Sequence, residues 1–153
     1  MEKLSPRIRI FREAKDVPLP QRKTAGSAGW DVCAAETVDL KPGEVTLVST
    51  GLIVEIPAGY HLRVYMRSGL ASREQVTMIN AVGIIDSDYC GPDDIIKIPL
   101  ILHGKKSLRI EKGERIAQFV FARNAFSDIR WDEQDGADFH GENRGGFGST
   151  GRH

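Results

Sequence analysis

Glycine and proline break this chain at short intervals, sixteen of the first and seven of the second in 153 residues. A chain so punctuated builds short elements joined by tight turns rather than long helices. Between the breaks, Arg7 to Phe11 (RIRIF) and Tyr60 to Tyr65 (YHLRVY) alternate charged or polar with apolar side chains, the period of a half-buried strand. Trp30 to Ala34, Glu44 to Ser49, Leu52 to Ile56, Ile95 to Leu102 and Arg115 to Phe121 are further strand candidates. The turns between them include Lys41-Pro42-Gly43, Pro57-Ala58-Gly59 and Glu111-Lys112-Gly113-Glu114. Pro99 predicts that its strand lies at a sheet edge or carries a bulge, because proline has no N–H for the ladder. One helix of about two turns is expected from Ser68 (SGLASREQ), with Ser68 as its N-cap. Many short strands and one short helix predict an all-β sandwich or barrel.

The length fits one domain with a real core. Residues 1–123 carry the β pattern. From 124 to 153 the chain is mostly polar and glycine-rich, with isolated aromatics at Trp131, Phe139 and Phe147, and is expected to be a mobile C-terminal arm. Twenty-one basic residues balance twenty-one acidic ones, so no overall charge steers the chain to nucleic acid or to an anionic membrane. No basic stripe is interleaved with aromatics, and no apolar run approaches the roughly 20 residues of a membrane helix. Cys33 and Cys90 form no framework pattern and are expected to be free thiols in a reducing compartment. The N-terminus lacks the apolar core of a signal peptide, which points to the cytoplasm, or the nucleus in a eukaryote.

Five stretches carry polar chemistry. In VGIIDSDYCG (82–91) an apolar run meets a turn, which reads as a tight β-hairpin with Asp86 and Tyr89 at its tip and Asn80 just before it. Such an element offers main-chain donors and acceptors in a fixed array that can read a planar heterocycle, beside a carboxylate able to act on a water. In Met66-Arg67-Ser68-Gly69-Leu70-Ala71 a forked donor and a hydroxyl stand at the helix start, a combination suited to a di- or triphosphate. Asp31 follows Gly29-Trp30 at a strand start, where a carboxylate can hold a hydrated divalent cation. Gln118 lies on the strand that leaves the Gly113-Glu114 turn. The chain ends in RGGFGSTGRH, in which glycines free the backbone to wrap an anion, Ser149 and Thr150 add hydroxyls, and Phe147 offers a stacking face.

Taken in order, AGWDV (28–32), RSGLA (67–71), NAVGIIDSDYCG (80–91), GERIAQ (113–118) and GGFGSTG (145–151) resemble the five motifs of the homotrimeric dUTPase family, at nearly its spacing. The resemblance implies a jelly-roll-like β fold that trimerises, each active site shared among the three subunits and closed by the 124–153 arm. It implies hydrolysis of dUTP to dUMP and pyrophosphate with Mg²⁺, a reaction that limits uracil incorporation into DNA and supplies dUMP for thymidylate synthesis. By motif position, Asp86 would deprotonate the water that attacks the α-phosphorus, and Tyr89 would pack under the deoxyribose. Asn80 with the backbone of Gly83, Ile84 and Ile85 would read uracil. Arg67, Ser68 and Gly69 would bind phosphates, Gln118 would lie near the α-phosphate, and Asp31 would reach Mg²⁺ through water. Phe147 would cover uracil, with Gly148 and Ser149 near the γ-phosphate.

Three positions depart from the family pattern. Arg144 lies three residues before Phe147 instead of five, Pro92-Asp93-Asp94 follows the Tyr89 turn, and Met66 precedes Arg67 where proline is usual. Two other readings compete. A dCTP deaminase shares the fold, but its chemistry needs a glutamate on the strand after the hairpin, and Asp94 to Leu100 (DIIKIPL) has none. A non-catalytic nucleotide-binding β-trimer would have no use for Asp86.

Overall fold

The structure, a computed structural model, describes residues 7–125 and 128–135. These form, in order, β1 (Arg9–Arg12), β2 (Trp30–Cys33), β3 (Val38–Leu40), β4 (Val45–Ser49), β5 (Leu52–Glu55), β6 (Tyr60–Met66), α1 (Ser68–Glu74), β7 (Val76–Met78), β8 (Gly83–Ile85), β9 (Lys97–Leu102), β10 (Leu108–Ile110) and β11 (Arg115–Arg123). The fold is therefore mostly β with one short helix, as expected, and the seven predicted strands are present with ends shifted by one or two residues. The three-residue strands β3, β7 and β10 go beyond the sequence expectation, since three residues are too few to display a period.

The strands pair antiparallel throughout, in the orders β2-β11-β6-β8, β4-β9-β7, β1-β5 and β10-β3. Alternation sends one side of each strand inward. On β9, Ile98, Leu100 and Leu102 are buried while Lys97, Pro99 and Ile101 face out. They meet Val32, Leu62, Val64 and Phe119 of the four-stranded sheet in one core cluster. Each such side chain taken from water contributes about 1.5–3 kcal/mol. Thr50, fully buried, donates its hydroxyl to the Ile96 carbonyl at 2.7 Å and so ties the β4–β5 turn to the segment entering β9.

Three local expectations are corrected. Pro99 is on neither an edge nor a bulge: β9 lies between β4 and β7, and Pro99 pairs opposite Leu47. Its carbonyl accepts the Ile79 N–H at 3.0 Å, so the side that lacks a donor faces the point where β7 has already ended. The 82–91 stretch is not a hairpin. β8 pairs with β6, and after the turn closed by Tyr89 N–H on the Asp86 carbonyl the chain goes through Gly91-Pro92 to the other sheet. Asp94 accepts the Gly91 N–H at 2.7 Å and makes a second turn there, so no return strand forms beside β8. Finally, Ser68 is the first helical residue and Arg67 the N-cap, with no side-chain cap bond.

Both cysteines are free, Cys33 buried and Cys90 exposed. Among the described residues no helix is long and apolar enough to cross a membrane.

Candidate active site

Asp31 is the centre of one polar cluster. It sits on β2 at 5% exposure, opposite Gln118 of β11. Gln118 Nε2 donates to its Oδ1 at 3.1 Å, and Arg115 donates to its Oδ2 at 2.9 Å. Arg67, at the junction of β6 and α1, places Nε 3.4 Å from Oδ1 and donates a second N–H to the Arg115 carbonyl at 3.2 Å. Burial pushes the Asp31 carboxyl up, but the hydrogen bonds from Gln118 and Arg115 and the charges of Arg67 and Arg115 outweigh it and hold the group below the ordinary carboxylate value. Two guanidiniums against one carboxylate leave the cluster net positive, which suits an anion. Ser68 is exposed beside it, and Gly69 follows on the first turn of α1.

The second group follows β8. In an antiparallel pair alternate residues turn both main-chain groups away from the partner. β8 has β6 on one side and no strand on the other among the described residues, so those groups stay available. Asn80 precedes β8 in a turn in which Ala81 holds φ +59°, a left-handed conformation costly for a residue with a Cβ. Gly83 is buried against β6, where a Cβ would come within 3.1 Å of Val64 Cβ. Ile84 is exposed, Ile85 half-buried, and Asp86 and Tyr89 lie open beyond them.

The register keeps the two groups apart within one chain. β8 runs back along β6 from Val64 to Leu62, so Asp86 lies beyond the Leu62 end, whereas Arg67 leaves the Met66 end. Five residue steps lead from Leu62 to Arg67, about 16 Å of rise. Asp31, Arg67 and Gln118 are thus brought together, and Asn80, Gly83, Ile84, Ile85, Asp86 and Tyr89 form a separate group. Arg144, Phe147, Gly148 and Ser149, and the expectation of a mobile arm end, lie outside the described residues.

Cleft size does not mark this chemistry. The larger cleft, about 580 Å³, is apolar, is lined by Ile8, Leu19, Val54 and Phe121 among others, and of the motif residues touches only Trp30. A smaller one of about 250 Å³ has Lys23, Asp31, Cys33 and Arg115 on its walls, and the charge gathers there. Burial pushes the Cys33 thiol up.

For Mg²⁺, no three His, Cys, Asp or Glu side chains gather into a protein cage among the described residues. Asp31 has both oxygens engaged by N–H donors, which fits contact through a water and not a direct bond. That is the arrangement expected when the ion keeps its waters and arrives on a substrate's phosphates.

Sequence reading missed Arg115 as a member of the Asp31 cluster. Strict alternation places it on the opposite face of β11 from Gln118, three residues on.

Residues 15–151 match the family model described as dUTPase. Among curated relatives, the deoxyuridine 5'-triphosphate nucleotidohydrolase of Brucella melitensis is 46% identical, with 96% of this chain and 94% of that one covered. That of Wolinella succinogenes is 38% identical, with 95% of each covered. Among solved structures, a dUTPase from Streptococcus mutans superimposes with a TM-score of 0.70 at 30% identity, over 76% of this chain and 94% of that one. A variant dUTPase of Staphylococcus bacteriophage 80alpha, solved with dUpNHpp, gives 0.79 at 26% identity, over 96% and 99%. With its five motifs in order, an antiparallel β fold of the same shape, and a family match over nearly its whole length, this chain belongs to the dUTPase family.

Proposed function

We propose that this chain hydrolyses dUTP to dUMP and pyrophosphate, as a homotrimer in which one copy's Asp31–Arg67–Gln118 cluster faces another copy's β8. The observation that carries the shared site is the register of β6. It sends Arg67 and Asp86 from opposite ends of one strand, so a substrate touching both needs a second chain. The outer face of the β4-β9-β7 sheet supports assembly. Val45, Leu47 and Ile79 are each at least half exposed there, an apolar patch of the kind that marks an interface.

The roles follow from what each group offers. The main-chain groups that β8, from Gly83 to Ile85, turns away from β6, with the Asn80 amide, pair with the polar edge of uracil. Cytosine would leave those groups unpaired, a penalty that can reach roughly 10⁴-fold. The close packing of β8 on β6 at Gly83 leaves little slack for a thymine methyl. Tyr89 packs its ring under the deoxyribose, where a ribose 2′-hydroxyl would clash. Arg67, Ser68, Gly69 and Gln118 hold the phosphates and set the α-phosphorus for in-line attack. Asp86 orients a water and takes its proton, a contribution of about 10²–10⁴-fold. Bound Mg²⁺ supplies neutralisation of charge on the pyrophosphate leaving group, and Asp31 is the residue that would meet it through water. The 124–153 arm, through Arg144, Phe147, Gly148 and Ser149, closes over the nucleotide and excludes bulk water.

The test is pyrophosphate release from dUTP, dTTP, dCTP and UTP by the purified full chain, with ammonia release from dCTP measured in parallel. Turnover of dUTP far above the other three, and no ammonia, is expected. Ammonia from dCTP would replace this reading with the deaminase, and no turnover of any of the four would leave a binding protein.

A further inference from the structure

A strand turns successive side chains to opposite faces, so Arg115 and Gln118 should point apart. They do not, because β11 slips register against β2 between Arg115 and Ala117. Gln118 pairs with Asp31 while Arg115 pairs with Cys33, two residues along on the same face of β2, and Ile116 is the extra residue of a bulge. Burial of the consecutive pair Ile116 and Ala117 is the packing trace of that slip. The bulge thus re-aims Arg115 onto Asp31 at 2.9 Å and leaves its carbonyl to accept from Arg67 at 3.2 Å.

We propose that Arg115 is a positioning residue for the hydrolysis: through Asp31 and its own carbonyl it sets the direction in which the Arg67 guanidinium and the Gln118 amide face the substrate phosphates. The inference rests on the reading of Arg67 and Gln118 as phosphate-facing groups. Asp31 is buried, and a buried carboxylate opposed by one arginine draws both arms of the fork onto itself. Arg115 prevents this by occupying Oδ2. Arg67 then meets Asp31 through Nε at 3.4 Å, shares Oδ1 with Gln118, and spends one further N–H on the Arg115 carbonyl. Its other terminal nitrogen makes no hydrogen bond among the described residues and is left for an incoming anion. Gln118 is fixed as well, since a flipped amide would set its oxygen against the carboxylate. Arg115 itself is 39% exposed in its side chain, so its charge can be removed without opening a cavity in the core.

The experiment compares kcat and KM for dUTP in the full chain and in R115M, R115K, R67A and the R67A/R115M double variant, with thermal midpoints for all. Methionine keeps the stem and removes the donor. R115M is expected to lose about 10- to 100-fold in kcat/KM, the scale of a misplacement near 1 Å. Lysine should recover most of that loss, because the bond to Asp31 is a single N–H contact and the carbonyl to Arg67 is main chain. The double variant should be no worse than R67A alone, since both losses run through one group. If R67A is impaired while R115M works at the full rate, or if the two losses multiply, the inference fails although the phosphate reading stands. If R67A itself is unimpaired, the phosphate reading fails and takes this inference with it. Should R115M melt below the assay temperature, R115Q, neutral yet able to donate, takes its place in the cycle under the same criteria.

Discussion

Asp86 stands exposed where β8 ends, and no cation pairs with it among the described residues, so its carboxylate is free to hold a water. Asp86→Asn keeps the shape and removes the base. Turnover should fall by about 10²–10⁴-fold while the KM for dUTP changes little; steady-state kinetics checks both. Tyr89→Ala should narrow the preference for dUTP over UTP, measured as the ratio of kcat/KM values; an unchanged ratio removes the ring from sugar selection. Asp31 carries a pH dependence of stability. Its carboxyl is held below the ordinary value in the fold, so its contribution is fully present above about pH 3.9, the unfolded value, and is lost as pH falls through the lowered one. The gap in thermal midpoint between the unaltered chain and Asp31→Asn should therefore shrink on acidification below pH 4, and a gap constant to pH 3 would contradict this. The residue types of the candidate site could be proposed from the sequence because Arg67, Asp86, Tyr89 and Gln118 each carry their chemistry in the side chain. The company they keep could not. Arg115 reaches Asp31 only because of a bulge, and nothing in the alternation of GERIAQ announces one.

β8 is the element on which the proposed base recognition depends, and it is also the one whose pairing the sequence does not reveal. Turn formers say that a chain turns; they do not say which strand it pairs with. Asp86-Ser87-Asp88 does turn, but Gly91-Pro92-Asp93-Asp94 turns again and carries the chain off to the second sheet, leaving β8 with one partner and one open edge. That open edge is more useful for binding than the expected hairpin, in which one side of β8 would pair with the returning strand. The stretches that became β6 and β9 were legible for different reasons: β6 alternates over enough residues to show a period, and β9 is a nearly continuous apolar, β-rich run. Gly83 gives β8 a test of its own. A methyl there meets Val64 at 3.1 and 3.3 Å and Met78 at 3.5 Å, so β8 must move off β6 to admit it. Gly83→Ala should cost about 1–3 kcal/mol of stability, the scale of overpacking, and should weaken dUTP binding as the main-chain array shifts. Chemical denaturation and KM together check this.

At the scale of the whole molecule, the chain has an apolar outer face and two candidate site groups at opposite ends of β6, and both features fit the proposed trimer. Leu47, 60% exposed, is central to that face, and Leu47→Glu would place a charge in the proposed interface. It should shift the trimer to monomer in sedimentation and abolish turnover while the monomer remains folded. Removing residues 144–153 should lower turnover by about tenfold or more, the scale of lost positioning and closure, with little change in thermal midpoint. The shared site itself has the most direct test. R67A and D86N, each strongly impaired alone, are unfolded together in equal amounts and refolded so that subunits mix. Where each site joins the Arg67 half of one copy to the Asp86 half of the next around a closed ring, random mixing leaves about one site in four intact, so about a quarter of the unaltered rate should return. If the mixture stays as inactive as its parents although mass measurement shows mixed trimers, Arg67 and Asp86 serve one site within a single chain, and the site is not shared between subunits.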